Sequence, residues 1–299
     1  MLEALREKLR QGDLGTLPFV VQNLLAVLTD PRASSRDLKR VIETDQALSV
    51  KVLRLANSAY YGFSQKISDL QLAVTLIGFN PLRRMVMSTT SYDIFFRHGG
   101  MTFDRQTLWS HCLKVACCSR VLARKHRSVS GEIMFVGGIL HEVGYTLLDQ
   151  HAHPLFVELL ATAGTEGRSL VEVERSLLGI SHAEVGEWAA EAWNLPPILR
   201  AAIRYHHEPL QAGDFILPAS IVGMADVLCH DIYTTEEEDL ARLNSLAEFL
   251  RLRSSDFKNI LRDTAVEVNR VNAFMGLGGE EEKDSTQPGW ERSNQVLVC

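Results

Sequence analysis

The chain has 299 residues, 46% of them hydrophobic, with 31 basic and 37 acidic side chains and a net charge of −6. That supplies one large core or two smaller ones and excludes disorder over most of the length. No face reads as a basic stripe, which argues against nucleic-acid binding, and no apolar run is long enough to span a bilayer.

In chain order, residues 1–16 read as an amphipathic helix with alternating charges rather than a secretory signal. Leu17-Pro18 opens the next helix and Asp30-Pro31 ends it. Ser34 or Ser35 caps SRDLKRVIET, and Asp45 caps QALSVKVLRLAN. Asn57-Ser58 and Gly62 break that helix, with Asn57 satisfying backbone groups at its end. Asn80-Pro81 reads as the cap and first turn of PLRRMVMSTTSYDIFF. Gly99-Gly100 closes it and gives the best internal boundary. From Phe103 to Ala273 the helical pattern is continuous, with no alternating segment of useful length, so the fold class is all-α. RKHR at 124–127 ends a helix, where cations favour the negative end of the dipole. Leu195-Pro196-Pro197 is a sharp corner. TTEEEDLARLNSLAEFLRLRS is an outer amphipathic helix, and a last helix follows at about 255–275. Residues 276–299 have the composition of a flexible terminus. Cys112, Cys117, Cys118, Cys229 and Cys299 lack metal-ribbon or CxxC spacing, and an odd set of scattered thiols suits a reducing, cytoplasmic setting.

The chemistry lies in FVGGILHEVGYTLLDQ at 135–150, which sets His141 and Glu142 side by side in what reads as one helix, apolar on all sides and therefore central. A buried carboxylate neutralises, pairs or binds metal. The paired Gly137 and Gly138 would let another helix approach. Further imidazoles and carboxylates sit in similar segments: His111 in LWSHCLKVACCSRVL, His182 opening SHAEVGEWAAEAW, His206-His207 after PPILRAAIRY, and Asp226 in SIVGMADVLC. One histidine on an apolar face is ordinarily a hydrogen-bonded core residue; the ordered set points to a divalent metal, iron, manganese or zinc, because mixed imidazole and carboxylate donors suit first-row ions. His98, His126, His151, His153 and His230 read as solvated, as do Glu172 and Glu174, although one of the two could reach His182. His141-Glu142 does not start a zinc-protease motif, since Tyr145 stands where a second His is needed.

The order His111, His141-Glu142, His182, His206-His207, Asp226 resembles the ligand pattern of the HD superfamily of metal-dependent phosphohydrolases, its HD-GYP branch in particular. VLRLANSAYYG at 52–62, ISDLQLAVTLIG at 67–78 and HAEVGEWAAEAWNLP at 182–196 resemble the HDOD family, the HD-related output domains of bacterial signalling proteins. The resemblance runs from about Leu17 to His207. It implies an HD-superfamily helical bundle with an additional N-terminal helical lobe: an HDOD domain at 17–208, divided into a lobe at 17–100 and an HD-like lobe at 101–208, with helices at 209–275 completing the latter. On the ligand pattern, His111, His141, Glu142 and Asp226 would hold one ion, and His182, His206 and His207 would complete a second.

The same resemblance implies a non-hydrolytic signalling module acting with other proteins in trans. The alternative is a phosphohydrolase acting on a nucleotide or cyclic dinucleotide, with Glu142 and His141 at its centre; oxygen chemistry at a di-iron centre is a third reading. Three departures argue against turnover. Glu142 stands where the family has Asp, HHEPLQAGDF replaces the GYP loop, and no Lys accompanies the His-Glu pair.

Overall fold

A computed structural model describes residues 6–7, 23, 26–27, 30, 32–58, 61–63, 65–96, 104–126, 128–229 and 236–275. The expected helix at 1–16, the helix start at Leu17-Pro18, the Gly99-Gly100 boundary, the tail at 276–299, and His98, His230 and Cys299 lie outside them, apart from Arg6 and Glu7, which are helical. Among the described residues there are helices and no strand. None of these helices is long and apolar enough to cross a membrane.

Helix α1, Ser35–Glu43, starts at Ser34, whose backbone N–H donates to Asp37 at 2.9 Å in a capping box. Helix α2, Gln46–Ala56, starts at Asp45, whose carboxylate accepts from the Leu48 amide at 3.0 Å. Asn57 then does more than cap: its amide donates to the carbonyls of Leu53 and Ile67, each at 2.7 Å, and its oxygen accepts from the Ile67 amide at 2.8 Å. That pins the end of α2 to the segment leading into α3, Leu70–Ile77.

Helix α4, Phe79–Phe96, begins one residue before the expected cap. Gly78, at φ +91°, makes the turn. Asn80 is therefore inside the first turn, and Pro81 is tolerated there.

Helix α5, Arg105–Ala123, capped by Asp104, is the hub, with 14 of its 19 residues buried. It packs against α4, α6 (Gly131–Leu140), α12 (Ile216–Leu228) and α14 (Ser254–Met275). One apolar cluster runs from Leu38 and Val52 through Leu82, Leu113 and Ile139 to Val185 and Val271. A second lies on the other side of α5, joining Val115 and Leu122 to Ile221, Leu246 of α13 (Glu236–Phe249) and Ile260. Cys117 and Cys118 are packed inside it all, and burial pushes the Cys117 thiol well up, so the vicinal pair is a packing feature. The cations closing α5 face α14: Lys125 pairs with Asp256 at 2.7 Å and Arg124 with Glu267 at 3.2 Å.

The apolar run at 133–150 is two helices, not one. Helix α6 ends at Leu140 and α7, Val143–His151, begins after a turn at His141-Glu142. Two packing partners explain the break, because α6 lies along α5 whereas α7 lies against α10, His182–Ala192. Gly138 permits the first approach: a Cβ there would fall 2.6 Å from the Ala116 Cα. The chain continues through α8, His153–Glu166, and α9, Leu170–Leu178, before α10, then through α11, Pro197–Arg204, and two short 3-10 turns into α12.

Candidate metal centre

The helix break places the central pair. His141 caps the end of α6, and its Nδ1 lies 2.8 Å from the Gly138 carbonyl oxygen. A carbonyl only accepts, so Nδ1 carries a proton and Nε2 is the nitrogen that faces the centre. His111, from the middle of α5, is held the same way, Nδ1 facing the Cys229 carbonyl at 3.3 Å. The two Nε2 atoms meet at 3.3 Å. Asp226 Oδ1 lies 3.3 Å from His111 Nε2 and 3.7 Å from His141 Nε2.

Glu142 turns toward both halves of the site. Its Oε1 lies 3.7 Å from His141 Nε2, and its Oε2 lies 2.8 Å from His182 Nε2. His182 opens α10 behind a Ser181 capping box. Its Nε2 also faces His206 Nε2 at 3.4 Å and His207 Nε2 at 3.1 Å. Both of the latter follow the end of α11, and His206 Nδ1 donates to the Ile203 carbonyl at 2.7 Å.

Gly144 lets the two parts close. A Cβ at that position would sit 1.9 Å from the His182 carbonyl oxygen, so α7 and α10 touch backbone to backbone beside His182. Tyr145 stacks on the His182 ring with centroids 3.8 Å apart.

All seven sequence-selected residues converge. The nearest donor atoms of His111, His141, Glu142 and Asp226 lie within 4.8 Å of one another, as do those of Glu142, His182, His206 and His207. Glu142 belongs to both groups. Six of the seven are buried, with His141, His182 and His206 at 0%, and His207 is half-buried.

Electrostatics follow from this crowding. Burial pushes the Glu142 carboxyl upward, but His182 and His141 outweigh it and hold it at about 2. Burial pushes His182 down, while Glu142 and Glu174 overcome that and raise it to about 10. His206 and His207 are driven down chiefly by burial, His206 to about 3. Asp226 also resists burial: Arg242 and the His111 and His141 rings hold it well below the usual carboxylate range. The donor set fits a metal. Five imidazoles and two carboxylates converging in a buried interior form a mixed donor set that suits a first-row cation at their focus.

Two supporting residues went unassigned or underweighted in the sequence. Glu174 is fully buried rather than solvated, and its Oε2 lies 2.9 Å from His182 Nδ1. Its position beside Val173 and four after Leu170, both buried, was the available signal; Glu172 does keep the solvated face, its side chain half exposed. Arg242 of α13 was missed. It donates to Asp226 Oδ2 at 2.9 Å and to the His206 carbonyl at 3.1 Å. His153 lies away from this set, paired with Asp149 at 2.7 Å rather than solvated, while Arg105 holds the same carboxylate.

Comparison with known proteins agrees with this architecture. The HDOD domain model matches residues 14–209. An uncharacterized protein of Treponema pallidum is 24% identical over 260 residues, covering 86% of this chain and 49% of that protein. The chain thus spans about half the length of that curated relative. A solved structure from Shewanella amazonensis, named as a candidate phosphohydrolase, shares 24% identity at a TM-score of 0.68, covering 91% of this chain and 98% of that one. Another from Marinobacter aquaeolei, named as a candidate signal transduction protein, shares 20% identity at a TM-score of 0.72, covering 92% and 64%. At these identities the structures share the fold.

Proposed function

The chain belongs to the HDOD domain family, and from that premise we propose that it is a non-hydrolytic signal-transduction module with a buried metal centre serving as a structural and regulatory bolt. On this reading His111, His141, Glu142 and Asp226 hold one divalent ion, and Glu142, His182, His206 and His207 hold a second. Iron, manganese and zinc suit the donors. Helices α5, α7, α10, α11 and α12, far apart in sequence, would be tied together at one point, and signalling proteins acting in trans would read the state of that bundle.

The observation that carries the proposal is enclosure. Structural metal sites are closed, whereas catalytic ones keep a position open to substrate. Here six of the seven donor residues are buried, His207 alone being half-buried, and Arg242 occupies the outer oxygen of Asp226 while also bonding the His206 backbone. Tyr145 covers the ring of His182.

A second reading, a metal-dependent phosphohydrolase, is favoured by one feature, the position of Glu142 between the two donor groups. Two ions there would polarise a phosphoryl oxygen and lower the pKa of bound water. The two readings separate in one assay. Protein loaded with manganese or iron is incubated with cyclic mono- and dinucleotides, beside a Glu142→Asp variant that restores the shorter carboxylate. The regulatory reading expects no turnover by either protein; turnover by the wild-type chain contradicts it.

A further inference from the structure

A second feature lies away from the metal centre. A cavity of about 620 Å³ opens between α2, α3, α4 and α14. Its volume is in the range of about 300–1,000 Å³ that holds small organic ligands. In a chain of net charge −6 its lining is basic: Lys51, Arg54, Arg84 and Arg270 against a single carboxylate, Glu267.

The carboxylate is already engaged, pairing with Arg120, Arg124 and Arg270, and Arg84 is matched by Glu132 at 2.8 Å. Lys51 and Arg54 have no carboxylate partner among the described residues. They stand three apart on α2, on one face of the helix. The floor between the charges is apolar, made by Leu55, Met85 and Val271, all buried. Ser58 adds a buried hydroxyl oxygen with no hydrogen-bond partner.

Unmatched cations over an apolar floor recognise one chemistry: an anionic group carried on an apolar body. We propose that this cavity binds a small organic anion, with Lys51 and Arg54 taking the charged group and the floor of Leu55, Met85 and Val271 taking the body. The site is independent of the metal centre. It lies between the N-terminal helices and α14, and through Glu267 it touches the Arg120 side chain of α5, the helix that carries His111.

The probe is 1-anilinonaphthalene-8-sulfonate, an anion on an aromatic body, titrated by fluorescence into the full chain with chelator present so that the metal reading does not enter. The uncharged analogue N-phenyl-1-naphthylamine is titrated in parallel. The comparison protein is Lys51→Glu/Arg54→Glu, whose altered side chains are not buried, with folding checked by circular dichroism. The sulfonate probe is expected to bind the wild type at one site and to weaken by about tenfold or more in the variant, while the uncharged analogue binds both alike. Competition by adenosine 5′-monophosphate or by octanoate then identifies the natural anion as a phosphate ester or a carboxylate. No binding of the sulfonate probe, equal affinity in both proteins, or failure of both competitors overturns the proposal.

Discussion

His111 and His141 bring their Nε2 atoms to 3.3 Å while the Nδ1 of each faces a backbone carbonyl. With each Nδ1 turned to a carbonyl, the two facing Nε2 atoms are matched only by a shared proton or by a metal cation between them. Asp226 Oδ1 beside both rings makes the cation the better solution, since it supplies a third donor to the same focus.

Gly144→Ala tests the closeness of α7 and α10. The new methyl would meet the His182 carbonyl, and backbone cannot swing aside as a side-chain tip can. The expected loss is at least about 1–3 kcal/mol by chemical denaturation, the ordinary cost of overpacking. A variant as stable as the wild type would mean that the two helices do not touch there.

Glu174→Gln tests the support behind His182. The amide can still accept from Nδ1 but no longer supplies the charge that makes the ring a stronger donor to metal. Metal affinity is expected to fall by about 10- to 100-fold, measured by competition with a chromogenic chelator, with the fold intact. Unchanged affinity would place Glu174 outside the centre.

Arg242→Ala removes the cation facing Asp226. In the metal-free protein the carboxylate then lacks its main partner, and stability is expected to fall by about 1–3 kcal/mol. A bound metal ion would replace much of that charge, so the loss should shrink on metal loading. An equal loss in both states would show that Asp226 does not face the ion.

Metal-free protein should also have a stability maximum near pH 6.5. His206 and His207 are held below their unfolded value of 6.5, so the unfolded chain takes up protons first as pH falls; stability drops from about 6.5 downward, toward about 3 for His206. Glu142 adds a loss between 4.5 and about 2. His182, raised to about 10, works oppositely: its contribution is full below 6.5 and is lost as pH rises through about 10. Thermal melts of chelator-treated protein across this range test the curve, and a flat profile would contradict it.

Much of this was legible in the sequence, for definable reasons. The all-helical class follows from periodicity, and Asp45 and Asn57 announce their capping roles by residue type and place. The seven clustered residues were legible as an ordered set: His111, His141, Glu142 and Asp226 interrupt apolar runs, whereas His182 opens a helix and His206-His207 follow one, so their part came from the order and the resemblance rather than from the local pattern. The break at His141-Glu142 was not legible: an unbroken apolar run does not say that its halves pack against different helices. Gly78, rather than Asn80, starting α4 was missed because an Asn-Pro pair is the stronger local signal. Arg242 was hidden in a segment whose composition reads as a solvated face, and only the packing of α13 on α12 brings it to Asp226.

The most direct measurement of the central claim is elemental metal analysis of protein purified without chelator, set beside His141→Ala. The account predicts at least about one divalent ion per wild-type chain, bound through the buried imidazoles and depleted in the variant. Equal and negligible metal in both proteins would contradict it.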